Sequence, residues 1–328
     1  MMCFRQGGAL AALLCASLCG MPRLVQAQAG AFPVKPVRVV IPFAPGGGTD
    51  VLARPLVQKL GDNLKQPMLY ENRGGANGIL GAEAVAKAAP DGYTLLLSSS
   101  GALVLNVGLF EKLPYDPVRD FAPITMMAIA PNVLVVKPAL PVRSVQQLIA
   151  HARANPGALN WASSGGGGAS LTMELFRLMA DLSMVQVKYK GAGPAVAGVL
   201  AGESDLMFAN AGVFIPHLKA GKLRALGVSS LQRLSVLQEV PTIDEAGLKG
   251  FEGSSWYGFV APTGTPVAVI EQLNGEIVRL LKTQEFVSRF AAEGAIPVGN
   301  TPQQFGTDIR REIDKWTKVI RDAGIKPE

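Results

Sequence analysis

A chain of 328 residues with 48% hydrophobic and 17% charged content can bury a large core, and its length suits two domains better than one. Basic residues outnumber acidic ones by 31 to 25, for a formal charge of +6, but they are dispersed. No basic cluster carries interleaved aromatics, so no nucleic-acid partner is expected.

The N-terminus reads as a cleavable secretory leader. Arg5 supplies the positive region, residues 7–20 are apolar apart from Cys15 and Cys19, and Ala27-Gln28-Ala29 is a small-x-small cleavage site, cut after Ala29 or after Ala27. All three cysteines (Cys3, Cys15, Cys19) fall in this leader, so residues 30–328 contain none, which excludes disulfides, zinc-cysteine sites and thiol catalysis there. Leu14 and Leu18 stand where a lipoprotein signal needs a small residue, so no lipid anchor is expected. Removing Arg5 and Arg23 with the leader lowers the basic count from 31 to 29 and the charge from +6 to +4. This mild positive field suits anionic solutes. No later segment approaches the ~18 uninterrupted apolar residues of a membrane span. The run 124–136 is broken by Pro131 and Asn132, and the mature chain is expected to be soluble outside the cytoplasmic membrane and not membrane-inserted.

From Val37 onward, apolar runs of strand length alternate with helical patterns, the signature of α/β architecture with mostly parallel sheets. The strand 37–43 breaks into Gly46-Gly47-Gly48 and then a helix 49–64, capped by Thr49 or Asp50 and bent near Pro55. Such a junction leaves backbone N–H groups aimed outward at the positive end of a helix, where anions are favoured. The same arrangement also occurs in proteins that bind nothing there. A strand at 68–70, a helix at 78–88 and a strand at 93–97 follow, and the last ends in the hydroxyl-rich Ser98-Ser99-Ser100-Gly101. Two apolar runs within 121–136, split at Pro131-Asn132, mark a passage into a second domain. There Ser144 caps a helix to Ala154, and the strand 159–162 enters a second glycine loop, Ser163-Ser164-Gly165-Gly166-Gly167-Gly168, before a helix 169–180. The strand 184–189 leads into Lys190-Gly191 and a helix with Pro194 in its first turn. Short strands at 205–208 and 223–229 precede an extended return at 253–262, and helices at 266–281, 285–292 and 302–323 close the chain. The expected boundaries are 1–29 for the leader, 30–131 with 255–328 for one lobe, and 132–254 for the other.

Reactive chemistry is scarce. His151 and His217 belong to no ligand-spaced cluster, and neither a nucleophile elbow nor a Ser-x-x-Lys pair is present. Both glycine loops lack the third glycine of a dinucleotide fingerprint and the Gly-Lys-Ser/Thr of a triphosphate loop. No catalytic residue, metal or cofactor is therefore expected. What remains is a pair of amide-rich loops that can hold a carboxylate between two lobes, with Phe43, Trp256 and Tyr257 as possible apolar wall.

The segments Lys35-Pro-Val-Arg-Val-Val-Ile-Pro-Phe-Ala-Pro-Gly-Gly-Gly-Thr-Asp50, Glu71-Asn-Arg-Gly-Gly-Ala-Asn-Gly78, Pro90-Asp-Gly-Tyr-Thr-Leu95, Tyr189-Lys-Gly191, Gly221-Lys-Leu-Arg-Ala-Leu226, Val240-Pro-Thr242 with Glu245-Ala-Gly247, and Ala261-Pro-Thr-Gly-Thr-Pro266 together resemble the periplasmic solute-binding receptors of tripartite tricarboxylate transporters, the Bug receptors. That resemblance implies a two-lobed type II periplasmic-binding fold, with a parallel or mixed sheet in each lobe, closing on a small organic carboxylate. It implies ligand contacts from Phe43, Ala44, Pro45, Gly46, Gly47, Gly48, Thr49 and Asp50 on one side, with Asp50 capping the first helix or orienting the loop rather than touching an anion. Ser98, Ser99 and Ser100 join them. Ser163, Ser164, Gly165, Gly166, Gly167, Gly168 and Ser170 face them, helped by Tyr189, Lys190, Gly191, Ala209 and Asn210. The implied partners are the membrane transporter subunits, engaged transiently by a monomer; a membrane sensor that reads the liganded form is the alternative. The chain departs from the family at Ala102-Leu103, where Thr-His is frequent, and at Ser170, where histidine is frequent. A less polar pocket and a monocarboxylate or dicarboxylate with an apolar body are expected from those changes.

Overall fold

The computed structural model describes residues 32–43, 45, 48–164 and 167–327. The leader and its cleavage site lie outside the described residues, as do Ala44, Gly46, Gly47, Gly165 and Gly166.

The β-branched run Val37–Ile41 forms β1, whose Val37, Val39, Val40 and Ile41 are fully buried. It leads to α1 (Gly48–Leu64), β2 (Met68–Asn72), α2 (Ile79–Ala86) and β3 (Thr94–Ser99). A π-helical turn, Gly101–Leu105, then runs directly into α3 (Asn106–Leu109) and on to β4 (Phe121–Ala130). One residue later the chain starts β5 (Asn132–Val136), followed by α4 (Val145–Ala154), β6 (Asn160–Ser163), α5 (Gly168–Met179), β7 (Val185–Lys188), α6 (Ala192–Ala201), β8 (Leu206–Asn210), α7 (Ala211–Lys219) and β9 (Arg224–Val228). It returns through β10 (Ser255–Pro262) to α8 (Val267–Leu281), α9 (Gln284–Ala292), β11 (Ile296–Pro297) and α10 (Pro302–Asp322).

These strands make two mixed sheets, ordered β11-β4-β10-β3-β1-β2 and β7-β6-β8-β5-β9, so the protein is two-lobed. The expectation of mostly parallel pairing holds only where consecutive strands are joined by helices, as in β1 with β2 and β3. Strands that arrive from the opposite lobe have no crossover helix to set their direction: β10 runs antiparallel to β3 and β4, and β5 antiparallel to β8 and β9.

Several local signals act as read. Ser144 Oγ accepts the Gln147 N–H at 3.2 Å and starts α4. Thr301 and Gln304 form a capping box that fixes the first turn of the 21-residue α10. Phe305, Ile309, Trp316 and Ile320 bury one stripe of α10 against the core, which delivers its C-terminal end to the junction of the lobes. In the second lobe Phe176, Phe208 and Phe251 pack with ring centroids 6.0–6.2 Å apart.

Candidate ligand-binding cleft

Helix α1 begins at Gly48, so Thr49 and Asp50 sit inside its first turn and neither is the cap that the sequence suggested. Each is engaged by residues distant in the chain. Thr49 is buried and its hydroxyl hydrogen-bonds the Tyr257 phenol, whose pKa burial pushes up to about 12 against the pull of that bond. The Asp50 carboxylate accepts from Arg54 Nη2 at 2.8 Å and from Asn72 Nδ2 at 3.2 Å. Asn72 Nδ2 also donates to the Phe43 carbonyl at 3.1 Å, so this one amide ties the end of the glycine loop to the helix. Arg54 in turn lies over the Tyr70 ring at 4.2 Å, and burial together with the Asp50 charge raises the Tyr70 pKa. Asp50 is therefore compensated within its own lobe.

Phe43 lies over Gly78: a Cβ added to that glycine would come within 3.2 Å of the Phe43 ring, and Gly78 also needs its φ of +88°. The hydroxyl run is not a loop. Ser98 and Ser99 finish β3, Ser98 Oγ donates to the Ser99 carbonyl, and Ser99 Oγ accepts the Gly101 N–H at 3.2 Å to start the π-helical turn. Ser100 is buried in that first turn. Ala102 and Leu103, expected to make the pocket less polar, are wholly buried in the core beneath it, so they do not set its polarity.

On the facing lobe, Ser163 ends β6 and Ser170 lies in the first turn of α5; both are buried and their hydroxyls are 2.8 Å apart. Gly167 precedes α5 and is exposed. The N–H groups of Gly168 and Ala169 open that helix, and helix geometry leaves them without intrahelical acceptors. The two lobes meet closely here, since a Cβ on Gly168 would fall 2.9 Å from Ser255 Oγ of β10. Two neighbours expected at the ligand turn elsewhere. Tyr189 stacks over Gly198 and directs its hydroxyl to Glu203 and Ser204, each at 3.2 Å, while Ala209 belongs to the core of the second lobe. Gly191 takes a φ of +107° before α6, and Pro45, Ser164 and Lys190 are at least partly open to solvent.

Asn210 serves the crossing between lobes: its Nδ2 donates to the Ala130 carbonyl at 3.1 Å. Asn132 beside it is fully buried and donates to Thr172 Oγ1 at 3.0 Å and to the Gly253 carbonyl at 2.9 Å. Trp256 packs edge-on to Phe305, centroids 5.2 Å apart, and is core rather than ligand wall.

Between the lobes lies a cavity of about 660 Å³. Its second-lobe wall carries Ser163, Ser170, Leu171, Glu174, Gln186 and Lys188. Its first-lobe wall carries Asn77, Leu109 and Phe110 with the chain end Ala323, Gly324, Ile325 and Lys326. Sequence reading found Ser163 and Ser170 but missed the others. Asn77, held at φ +53° and bonded through Nδ2 to Asn106 Oδ1 at 2.8 Å, had a signal in its Ala-Asn-Gly turn. The chain end had none, because only the length and packing of α10 bring it there. The cavity is lined by charged and amide side chains from Glu174, Lys188, Lys326, Asn77 and Gln186. Its volume is that of a small-molecule site.

The family model "Tripartite tricarboxylate transporter family receptor" matches residues 52–325. The chain is 41% identical over 301 residues to protein BugT of Bordetella pertussis, an alignment spanning 91% of this chain and 92% of BugT. Among solved structures it is similar to R. palustris Rpa4515 with adipate, at 36% identity and a TM-score of 0.79, covering 90% of this chain and 100% of that one. MatC from Rhodopseudomonas palustris with bound malate matches at 33% identity and a TM-score of 0.73, covering 88% and 100%.

Proposed function

The chain belongs to the tripartite tricarboxylate transporter receptor family, and from that premise we propose that it is a periplasmic receptor that captures a small organic carboxylate between its lobes and delivers it to the membrane subunits of such a transporter. In this reading residues 1–29 direct export and are removed, and the lobes are 30–131 with 255–328, and 132–254. The protein works as a monomer and turns over nothing. The observation that carries the proposal is the cavity between the lobes, with the Ser163–Ser170 hydroxyl pair, beside the first turn of α5, at its second-lobe wall. Hydroxyls and helix-terminal amides satisfy carboxylate oxygens, and each hydrogen bond to a charged group contributes roughly 1.5–3 kcal/mol. Two similar structures hold dicarboxylates, adipate and malate, which supports the same ligand class here.

The test is a thermal-shift screen of residues 30–328 against organic acids, followed by calorimetry. At a hundredfold excess over Kd a ligand of the native state stabilises it by about 2.7 kcal/mol. For a chain of this size that is a rise of roughly 4 °C. No rise with any carboxylate would overturn the proposal, and turnover of a bound acid would contradict the receptor role.

A further inference from the structure

The cavity is electrostatically lopsided. Its acid, Glu174, is paired with Arg177 at 2.9 Å, so that charge is compensated beside the wall. Its two lysines differ: among the described residues neither Lys188 nor Lys326 has a side-chain hydrogen bond or an ion pair. They come from opposite walls. Lys188 ends β7, in register with Ser163 of the neighbouring strand, whereas Lys326 follows α10 at the end of the first lobe. The lining also includes the apolar side chains of Leu109, Phe110 and Leu171. Resting on the carboxylate reading above, the geometry points to a second anion subsite: Lys188 and Lys326 hold the distal carboxylate of a dicarboxylate whose proximal carboxylate sits at Ser163, Ser170 and the α5 amides.

This arrangement discriminates by charge count. A monocarboxylate fills the proximal end and leaves both ammonium groups to solvent, while a dicarboxylate with an apolar body engages one lysine from each lobe. A cleft with like charges on its walls also concentrates dianions more strongly than monoanions. The lysines then act on specificity more than on the proximal contact.

The experiment is calorimetry on residues 30–328 with succinate, glutarate, adipate and pimelate, each against its monocarboxylate of equal carbon number. Native protein, the double variant Lys188→Gln with Lys326→Gln, and the surface control Lys222→Gln are compared. The expected result is a dicarboxylate preference in the native chain and the control. In the double variant the dicarboxylate Kd weakens roughly tenfold or more. Its monocarboxylate Kd stays within about twofold, a difference too small to reflect a lost charged contact. Equal weakening of both series in the double variant, or no change in either, overturns the lysine subsite while leaving the carboxylate receptor standing. Binding of neither series to the native chain overturns both. Native circular dichroism and an unchanged melting point in the double variant establish that folding is intact, as expected where the replaced side chains have no partners.

Discussion

Asp50 shows how a charge beside a glycine loop is compensated by its own lobe. Its carboxylate lies in the first turn of α1, where the helix dipole favours it, and Arg54 and Asn72 both donate to its Oδ1. Asn72 carries the greater consequence, because the same amide holds the Phe43 carbonyl. Asn72→Ala should cost about 1–2 kcal/mol of stability by denaturant unfolding and weaken carboxylate binding by calorimetry. Unchanged affinity would show that the loop needs no such tether. The place of Asp50 at the start of α1, just after three glycines, was legible in the sequence. The partners of Thr49 and Tyr189 were not, because Tyr257 comes from the returning strand and Glu203 and Ser204 from beyond a whole helix.

The π-helical turn Gly101–Leu105 was the element hardest to foresee. Four small residues after a buried strand look like a loop by composition, yet Ser99 Oγ starts a helix and Tyr115 pins its wide turn by donating its phenolic proton to the Ala102 carbonyl at 2.6 Å. That partner lies across a long connection, outside any local pattern. Burial pushes the Tyr115 pKa up to about 12, as it does for Tyr257. Because the unfolded phenol ionises near pH 10, the contribution of both residues is intact below that value and declines as the pH rises from about 10 towards 12. Tyr115→Phe should lose about 1 kcal/mol at neutral pH and show a shallower fall in melting temperature above pH 10. Parallel melting curves for variant and parent across that range would contradict the assignment. By contrast α4 and α10 were readable, since a serine or threonine cap and a 3.6-residue apolar period are local properties.

At the scale of the molecule, the two lobes are joined where Ala130 passes to Asn132 and where Gly253 leads into β10, and Asn132 binds those crossings together. Asn132→Ala leaves buried groups short of partners and should cost about 2–3 kcal/mol in denaturant unfolding. A loss under about 0.5 kcal/mol, the scatter of an ordinary surface substitution, would mean the crossing is held by other contacts. The α/β alternation and the glycine and serine loops made two lobes legible. The walls of the cavity were not, because residues from the Ala76–Gly78 turn to the chain end meet there only through long-range packing. The central claim is that an acid is gripped from both lobes at this cavity. It is tested most directly by a crystal structure of residues 30–328 with the tightest-binding dicarboxylate. The account predicts one carboxylate within hydrogen-bond distance of Ser170 Oγ and the Gly168 or Ala169 amide, with atoms of the first lobe closing the other side. An acid bound to one lobe alone, or outside the cavity, would contradict it.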